Sequence, residues 1–193
     1  MQEEIPRLTY ENAEPWIRSG DLLSFQPRCV WWRPWSWMPW IIALTNPGHI
    51  CHTAMACWWG KNLLAVQMTS SPQRIVLLSE LVRKWPGKIT VSTPNGRIYK
   101  SAAVDTMVRI TERPYGWVRI VLLGLAHTFT GGLLYPNVPD DQYQDTKWPP
   151  VCSEAYSRAC RINGYRVSDR PDCRTEPHHL YESHRLTKCF VLV

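Results

Sequence analysis

A short capped helix near the C-terminal end of the chain constrains the fold most strongly. The segment runs from Trp148 to Gly164, with two prolines leading in and Asn163-Gly164 closing it. Proline is favoured at a helix start and glycine just past its end. Apolar residues recur inside it at the three- and four-residue spacing of a helix with one buried face, at Val151, Ala155, Ala159 and Ile162. The segment is therefore predicted to be a helix packed against another layer.

Cys152 lies in the first turn of this helix. Backbone N–H groups there have no helical partner, and the helix dipole is positive. Such an environment lowers the pKa of a thiol, and the same N–H groups can stabilise a developing oxyanion. Most free cysteines are nevertheless small buried hydrophobes, so the helix alone leaves both roles open.

A β-hairpin is predicted earlier in the chain. Its strands run from Ile50 to Trp58 and from Leu63 to Met68, with Gly60 in the turn. The register decides how His52 and Gln67 meet. A turn at 59–60 places them directly opposite, a turn at 60–61 places them diagonally on one face, and a three-residue turn separates them.

The remaining pattern predicts an α+β chain that forms a single domain over residues 1–193 without an internal linker. Helices are expected at 8–18, 39–44, 100–111 and 117–128, with a short one at 179–183. Strands are expected at 22–26, 88–92 and 189–193, and a strand followed by a helix at 75–84. The segment 131–150 is predicted to be a loop, and Asp140-Asp141 within it to be a solvated turn rather than a cation site.

Composition limits the class of protein. The formal net charge of +6 permits attraction to anionic partners but is typical of an ordinary basic surface, and no nucleic acid is expected as a partner. The polar start of the chain is no signal peptide, and the most apolar run, Trp117 to Leu125, is too short to span a bilayer. Seven cysteines without disulfide-like spacing indicate reduced thiols. The chain is therefore expected to be cytoplasmic as synthesised.

Five of the eleven tryptophans lie between Trp31 and Trp40. Tryptophan suits apolar–water boundaries, so this cluster could contact a membrane surface or a lipid substrate. Inward packing of the same side chains is equally compatible with the sequence.

A histidine on a strand, an amide on the adjacent strand and a cysteine at a helix start form the residue set of Cys–His nucleophilic catalysis. In this arrangement Cys152 is the nucleophile, His52 the base and Gln67 the group that orients His52. Papain-type enzymes use an asparagine amide for the third role, in the chain order Cys, His, Asn rather than His, Gln, Cys. His49 is the alternative base, but it follows Pro-Gly in a predicted turn and is more typical of a solvated loop histidine.

The chain resembles the permuted papain-like amidases of the NlpC/P60 superfamily, in particular their YiiX-like members. The similarity follows the order of the family's elements over nearly the whole chain, at Ser19–Phe25, Trp40–Thr45, Ile50–Met55, Leu64–Gln67, Arg113–Gly116, Val151–Ala155 and Glu176–Ser183. Two departures are present: Cys51 stands where the family has Ser, and Arg113 and Gly116 replace a Gly and an Asp.

The resemblance implies a circularly permuted papain-like fold, with a small antiparallel sheet or half-barrel packed against helices. It also implies thiol-dependent cleavage of an amide or ester by Cys152, His52 and Gln67, without a metal or organic cofactor. Substrates in the superfamily include peptidoglycan peptides and lipid acyl groups. A peptidoglycan substrate fits poorly with the absence of an export signal, unless the chain is of phage or viral origin.

Three functions remain open from the sequence. The first is a cysteine amidase or peptidase, the second a lipid acyl-hydrolase or acyltransferase on the same fold, and the third a non-catalytic membrane- or protein-binding module. A zinc site is disfavoured because its possible ligands are too widely spaced, at Cys173, His178, His179, His184 and Cys189. Four other cysteines are predicted to be core thiols, Cys29, Cys51, Cys57 and Cys160. The oligomeric state is not predicted.

Overall fold

The computed structural model describes residues 4–28, 43, 47–69, 73–116, 140 and 150–193. Predictions for Cys29, for the Trp31–Trp40 cluster and for the helix at 117–128 lie outside these residues. The helix at 39–44 and the loop at 131–150 lie almost entirely outside them.

The described residues form one mixed seven-stranded sheet in the order β1-β7-β6-β2-β3-β4-β5. Its strands are β1 (Arg7–Leu8), β2 (Leu22–Gln26), β3 (His52–Trp59), β4 (Asn62–Gln67), β5 (Ile75–Leu77), β6 (Lys88–Pro94) and β7 (Leu186–Leu192). The α+β class is confirmed. The prediction of an antiparallel sheet is wrong at one edge, because β1 pairs in parallel with β7. Two residues are too few to show an alternating pattern from which this pairing could be predicted.

Five α-helices occur in the described ranges: α1 (Tyr10–Ala13), α2 (Leu78–Lys84), α3 (Lys100–Thr111), α4 (Cys152–Ile162) and α5 (Pro177–Tyr181). The single helix predicted at 8–18 is wrong, since α1 gives way to a 3-10 turn at Glu14–Trp16. Pro15 explains the change, because it has no N–H to continue the helical ladder. None of the helices in the described part is long and apolar enough to cross a bilayer.

The sheet is buried on both faces. Leu22, Met55 and Val66 pack with α3 and α4 on one face, here called the α4 face. Leu23, Phe25 and other alternate residues pack with α1 and α2 on the opposite face. Burial on both sides explains why β2 reads as a nearly continuous apolar run.

Helix α4 has the predicted ends. Val151 is the N-cap in extended conformation, and Gly164 follows the C-cap Asn163 with a left-handed φ of 93°. All residues from Cys152 to Cys160 are buried, so the helix is covered more completely than a one-faced pattern predicts.

A polar network fixes α4 to the following segment. Asp172 accepts hydrogen bonds from Ser157 Oγ and Arg161 Nε, each at 2.7 Å. Asp140 accepts from Arg166 Nη2 and from the backbone N–H of Asp172, also at 2.7 Å. The interpretation of Asp140 as a solvated turn residue is therefore wrong, because its carboxylate is an anchor for the segment after α4.

Candidate active site

The β3–β4 hairpin sets the position of His52 relative to Gln67. Trp59 pairs with Asn62 and Ala54 pairs with Gln67, so the turn is at 60–61 and His52 is the diagonal neighbour of Gln67. Gly60 occupies the first central position with a φ of 60°, as in type II′ hairpin turns. This is one of the two registers that bring the imidazole and the amide onto one face.

A hydrogen bond joins the two side chains. His52 Nε2 donates to Gln67 Oε1 at 3.0 Å. The other end of the amide is also held, because Gln67 Nε2 donates to the carbonyl of Gln73 at 3.1 Å. The imidazole packs against the ring of Phe25, with centroids 5.2 Å apart. Gln67 therefore fixes both the tautomer and the orientation of His52.

Helix α4 packs against β3 and brings Cys152 to the other side of this imidazole. Only 4% of Cys152 is exposed. His52 and Thr53 on β3 are the neighbours that interact electrostatically with its sulfur. Because His52 Nε2 is occupied by Gln67, Nδ1 is the ring nitrogen left for the sulfur.

The electrostatics favour an ion pair. Burial raises the pKa of the Cys152 thiol, but the charge and hydrogen bond of His52, together with the donors of Thr53, lower it below its ordinary 9.0. Burial lowers the pKa of His52, but the charge of Cys152 and the hydrogen bonds to Cys152 and Gln67 raise it above 6.5. A thiolate beside an imidazolium is the activated form of a cysteine nucleophile.

Three neighbours of the sulfur were missed by the sequence reasoning. Thr53 follows His52 directly, and Tyr115 lies in the Arg113–Gly116 segment. Cys51 is half-buried and packs against the core cluster as predicted, but the charge of Cys152 also acts on it, and its Sγ donates to the carbonyl of Phe25 at 3.5 Å. Burial, and then the negative charge of Cys152, raise the pKa of both Cys51 and Tyr115. Both groups therefore keep their protons while Cys152 ionises.

The alternative base is held elsewhere. His49 Nδ1 lies 3.3 Å from the carbonyl oxygen of Ala43, and the residue has a left-handed φ of 55°. His52 is the imidazole whose pKa is raised by its interaction with Cys152. The structure thus brings together Cys152, His52 and Gln67.

No protein family model matches the chain, and no curated protein matches it in sequence. Its fold is similar to that of YiiX. The crystal structure of this metalloprotein from Escherichia coli O157:H7, a DUF1105 protein, matches with a TM-score of 0.53. The match covers 91% of this chain and 96% of that chain at 14% sequence identity. The resemblance to YiiX-like proteins is thereby supported at the level of the fold, and at this identity it shows the fold alone.

YiiX is described as a metalloprotein, whereas among the described residues of this chain no group of three or more His, Cys, Asp or Glu side chains is placed to hold a metal ion. The late histidines have a structural role at the start of α5. His179 Nδ1 accepts the backbone N–H of Glu176 at 3.0 Å in a capping box, and the His178 ring lies against it. His178 Nδ1 in turn lies 3.3 Å from a Glu176 carboxylate oxygen.

Proposed function

We propose that this protein is a cysteine-dependent hydrolase that cleaves an amide bond in a peptide or peptidoglycan-type substrate, with the permuted arrangement of a papain-like enzyme. The observation that supports the proposal is that Cys152 interacts with the imidazole of His52, whose Nε2 hydrogen-bonds to Gln67 Oε1 at 3.0 Å. Helix α4, which carries Cys152, is distant in sequence from the β3–β4 hairpin that carries His52 and Gln67, so their meeting is a product of the fold. The fold similarity to YiiX supports the arrangement but says nothing about the reaction.

In the first half of the reaction, the Cys152 thiolate forms a bond to the carbonyl carbon of the substrate. The π electron pair of the carbonyl group moves onto its oxygen. The backbone N–H of Cys152, at the positive end of α4, is suited to stabilise this oxyanion. His52 then gives its Nδ1 proton to the leaving nitrogen, and the carbon–nitrogen bond breaks. A thioester on Cys152 and a free amine are the products of this half.

In the second half, neutral His52 takes a proton from water, and the hydroxide attacks the thioester carbon. The carbon–sulfur bond breaks, the carboxylic acid leaves, and the thiolate–imidazolium pair is regenerated. Gln67 holds the imidazole so that Nδ1 faces the sulfur during both proton transfers. No cofactor is needed for any of these steps.

The proposal is tested by alkylation with iodoacetamide, followed by mass-spectrometric mapping of the labelled cysteines. We expect Cys152 to react fastest near neutral pH, although the half-buried Cys51 and Cys189 are more exposed. Replacing Cys152 with Ala should remove both the fast labelling and any hydrolysis of peptide amides. Labelling of Cys152 no faster than that of Cys189 would refute an activated nucleophile. It would instead favour the non-catalytic binding module.

A further inference from the structure

Three tryptophans are exposed at the end of the sheet that lies away from the candidate active site. Trp59 is 72% exposed, Trp16 is 69% exposed and Trp58 is 36% exposed. A hydrogen bond brings them together, because Trp58 Nε1 donates to the carbonyl of Ile17 at 2.8 Å, and Ile17 follows Trp16 in the chain. Trp58 and Trp59 end β3, whereas His52 begins it. We call Trp16, Trp58 and Trp59 the tryptophan tip.

The tryptophan tip projects as the end of a hairpin. The turn at 60–61 directly follows Trp59. Neighbouring residues of a strand point to opposite faces, so Trp58 and Trp59 present indole rings on both sides of this turn. A protein partner would cover one face of such a projection, whereas the interfacial layer of a bilayer can surround it. Tryptophan is enriched in that layer because its ring is apolar and its N–H is polar.

The exposed area also favours a membrane over a second protein surface. An aromatic side chain buries about 150–250 Å², so the exposed parts of the three rings amount to roughly 400 Å². An apolar patch of about this size is often a site of interaction. A standard protein–protein interface takes about 800 Å² from each partner, which is twice what the tip offers. Interfacial binding to a bilayer needs no such minimum, since it grows with each buried apolar group and each attracted charge.

Basic side chains accompany the tryptophan tip. Arg18 and Lys61 are exposed, and each lies two residues from a tryptophan of the tip. Arg109 lines a cavity of about 410 Å³ beside the tip, together with Asp105. Glu14 accepts a hydrogen bond at 2.6 Å from the hydroxyl of the first residue of α1. Cations thus outnumber carboxylates in this group, and the whole chain carries a net charge of +6, so the tip is complementary to anionic lipid headgroups.

We propose that the tryptophan tip docks this protein on a membrane surface that contains anionic lipids, with the indole rings at the headgroup level and with Arg18 and Lys61 against the anionic headgroups. This surface is separate in sequence from the Trp31–Trp40 cluster, and the proposal does not depend on the chemistry of Cys152. His52 lies seven residues before Trp59 on β3, which is about 23 Å at roughly 3.3 Å per residue. The docked protein therefore holds its candidate active site away from the lipid, toward substrates outside the bilayer.

Co-sedimentation of the full chain with vesicles tests the docking. One set of vesicles is pure phosphatidylcholine, and the other is an equal mixture of phosphatidylcholine and phosphatidylserine. A basic residue near an anionic surface contributes about 1 kcal/mol, so two of them should make partitioning into the mixed vesicles at least about tenfold stronger than into the neutral ones.

Substitutions at the tip separate the apolar part from the charged part. Replacing both Trp16 and Trp59 with Ser should lower partitioning into the mixed vesicles at least about tenfold, because the exposed rings supply most of the buried apolar area. Lys61→Ala should lower it about fivefold on mixed vesicles and leave neutral vesicles unchanged. Ile75→Ser and Lys88→Ala are the matched controls, because both residues are exposed but lie away from the tip, on β5 and at the other end of the sheet. Both controls should bind as the wild type does.

The outcomes decide the docking independently of the proposed function. No sedimentation with either kind of vesicle would overturn it. Partitioning of the double tryptophan variant within twofold of the wild type would also overturn it, because another part of the chain would then make the contact. An equal loss in Ile75→Ser would show general apolar adsorption instead. Trp16→Ser alone gives a second variant if the double variant does not fold. The iodoacetamide rate at Cys152 should be the same in all these variants, so a failure of docking and a failure of the nucleophile are distinguished.

Discussion

Replacing Gln67 with Leu tests the orienting role of the amide at nearly constant side-chain volume. In the wild-type protein Gln67 Oε1 accepts a hydrogen bond from His52 at 3.0 Å, and this bond helps to raise the pKa of His52. Its removal should lower the pKa of His52 and release the imidazole from its orientation. The Cys152 thiol then loses part of the positive charge that lowers its own pKa.

The magnitude follows from the charged state of the imidazole. A hydrogen bond to a charged group contributes about 1.5–3 kcal/mol, which corresponds to roughly 10- to 150-fold in an equilibrium or a rate. Gln67 is only half-buried, so water can replace part of the lost bond. We therefore expect the lower end, about a tenfold fall in the iodoacetamide rate at Cys152 near pH 6.

The assay measures the second-order rate constant of Cys152 alkylation between about pH 4 and pH 10 in both proteins. Asn62→Leu is the matched control, since it removes an exposed amide at the turn end of the same strand. Gln67→Glu adds a sensitive check, because a carboxylate stabilises the imidazolium and should move the loss of the His52 proton to higher pH. A Gln67→Leu rate within twofold of the wild type, with an unmoved pH profile, would refute the orienting role.

Three further predictions concern pH dependence and stability. The rate of hydrolysis should have a bell-shaped dependence on pH. Activity is lost on the acid side when the Cys152 thiolate is protonated, and the pKa of this group lies below 9.0. Activity is lost on the basic side when His52 loses its proton, and the pKa of this group lies above 6.5. A single rise near pH 9 would contradict the ion pair. Asp172→Ala should lower the free energy of urea unfolding by about 3 kcal/mol, because Ser157 loses its acceptor and Arg161 keeps only the longer 3.6 Å contact with Asp140, whereas exposed Asp169→Ala should change little. Gly164→Ala should lower the free energy of unfolding by about 1 kcal/mol, because φ of residue 164 is 93° and an alanine adopts this conformation only with strain. No atom lies within 4 Å of an added Cβ, so the loss has no steric part. An unchanged Tm in thermal unfolding would contradict this reasoning.

The local parts of the candidate site were predictable from the sequence. The ends of α4 follow from its prolines and from Gly164, which needs a left-handed conformation. The hairpin strands follow from their apolar and β-branched residues, and Gly60 favours a tight turn. Together these local rules place Cys152 at a helix start and limit His52 and Gln67 to a small number of relative positions.

The contacts between distant segments were not predictable in the same way. Thr53 and Tyr115 are ordinary residues in the sequence, and they gain their relation to the sulfur only when α4 packs against β3. The parallel pairing of β1 with β7 depends on where the two ends of the chain meet. In the sequence Asp140 has the pattern of a solvated loop carboxylate. Its ion pairs with Arg161 and Arg166 form only when the loop packs against α4 and the segment that follows it. Each of these contacts is set by packing, which a local pattern does not encode.

The same packing explains why the reactivity of Cys152 depends on its neighbours rather than on its helix alone. Burial opposes the charge on both Cys152 and His52, so neither group would ionise by itself at this site. Their mutual attraction outweighs that cost only while the sulfur and the imidazole remain close to each other. A helix start favours the thiolate, but it cannot offset the burial that α4 imposes. The reactivity of Cys152 therefore depends on the packing of α4 against the β3–β4 hairpin. Any change that separates these elements returns Cys152 and His52 to their neutral forms.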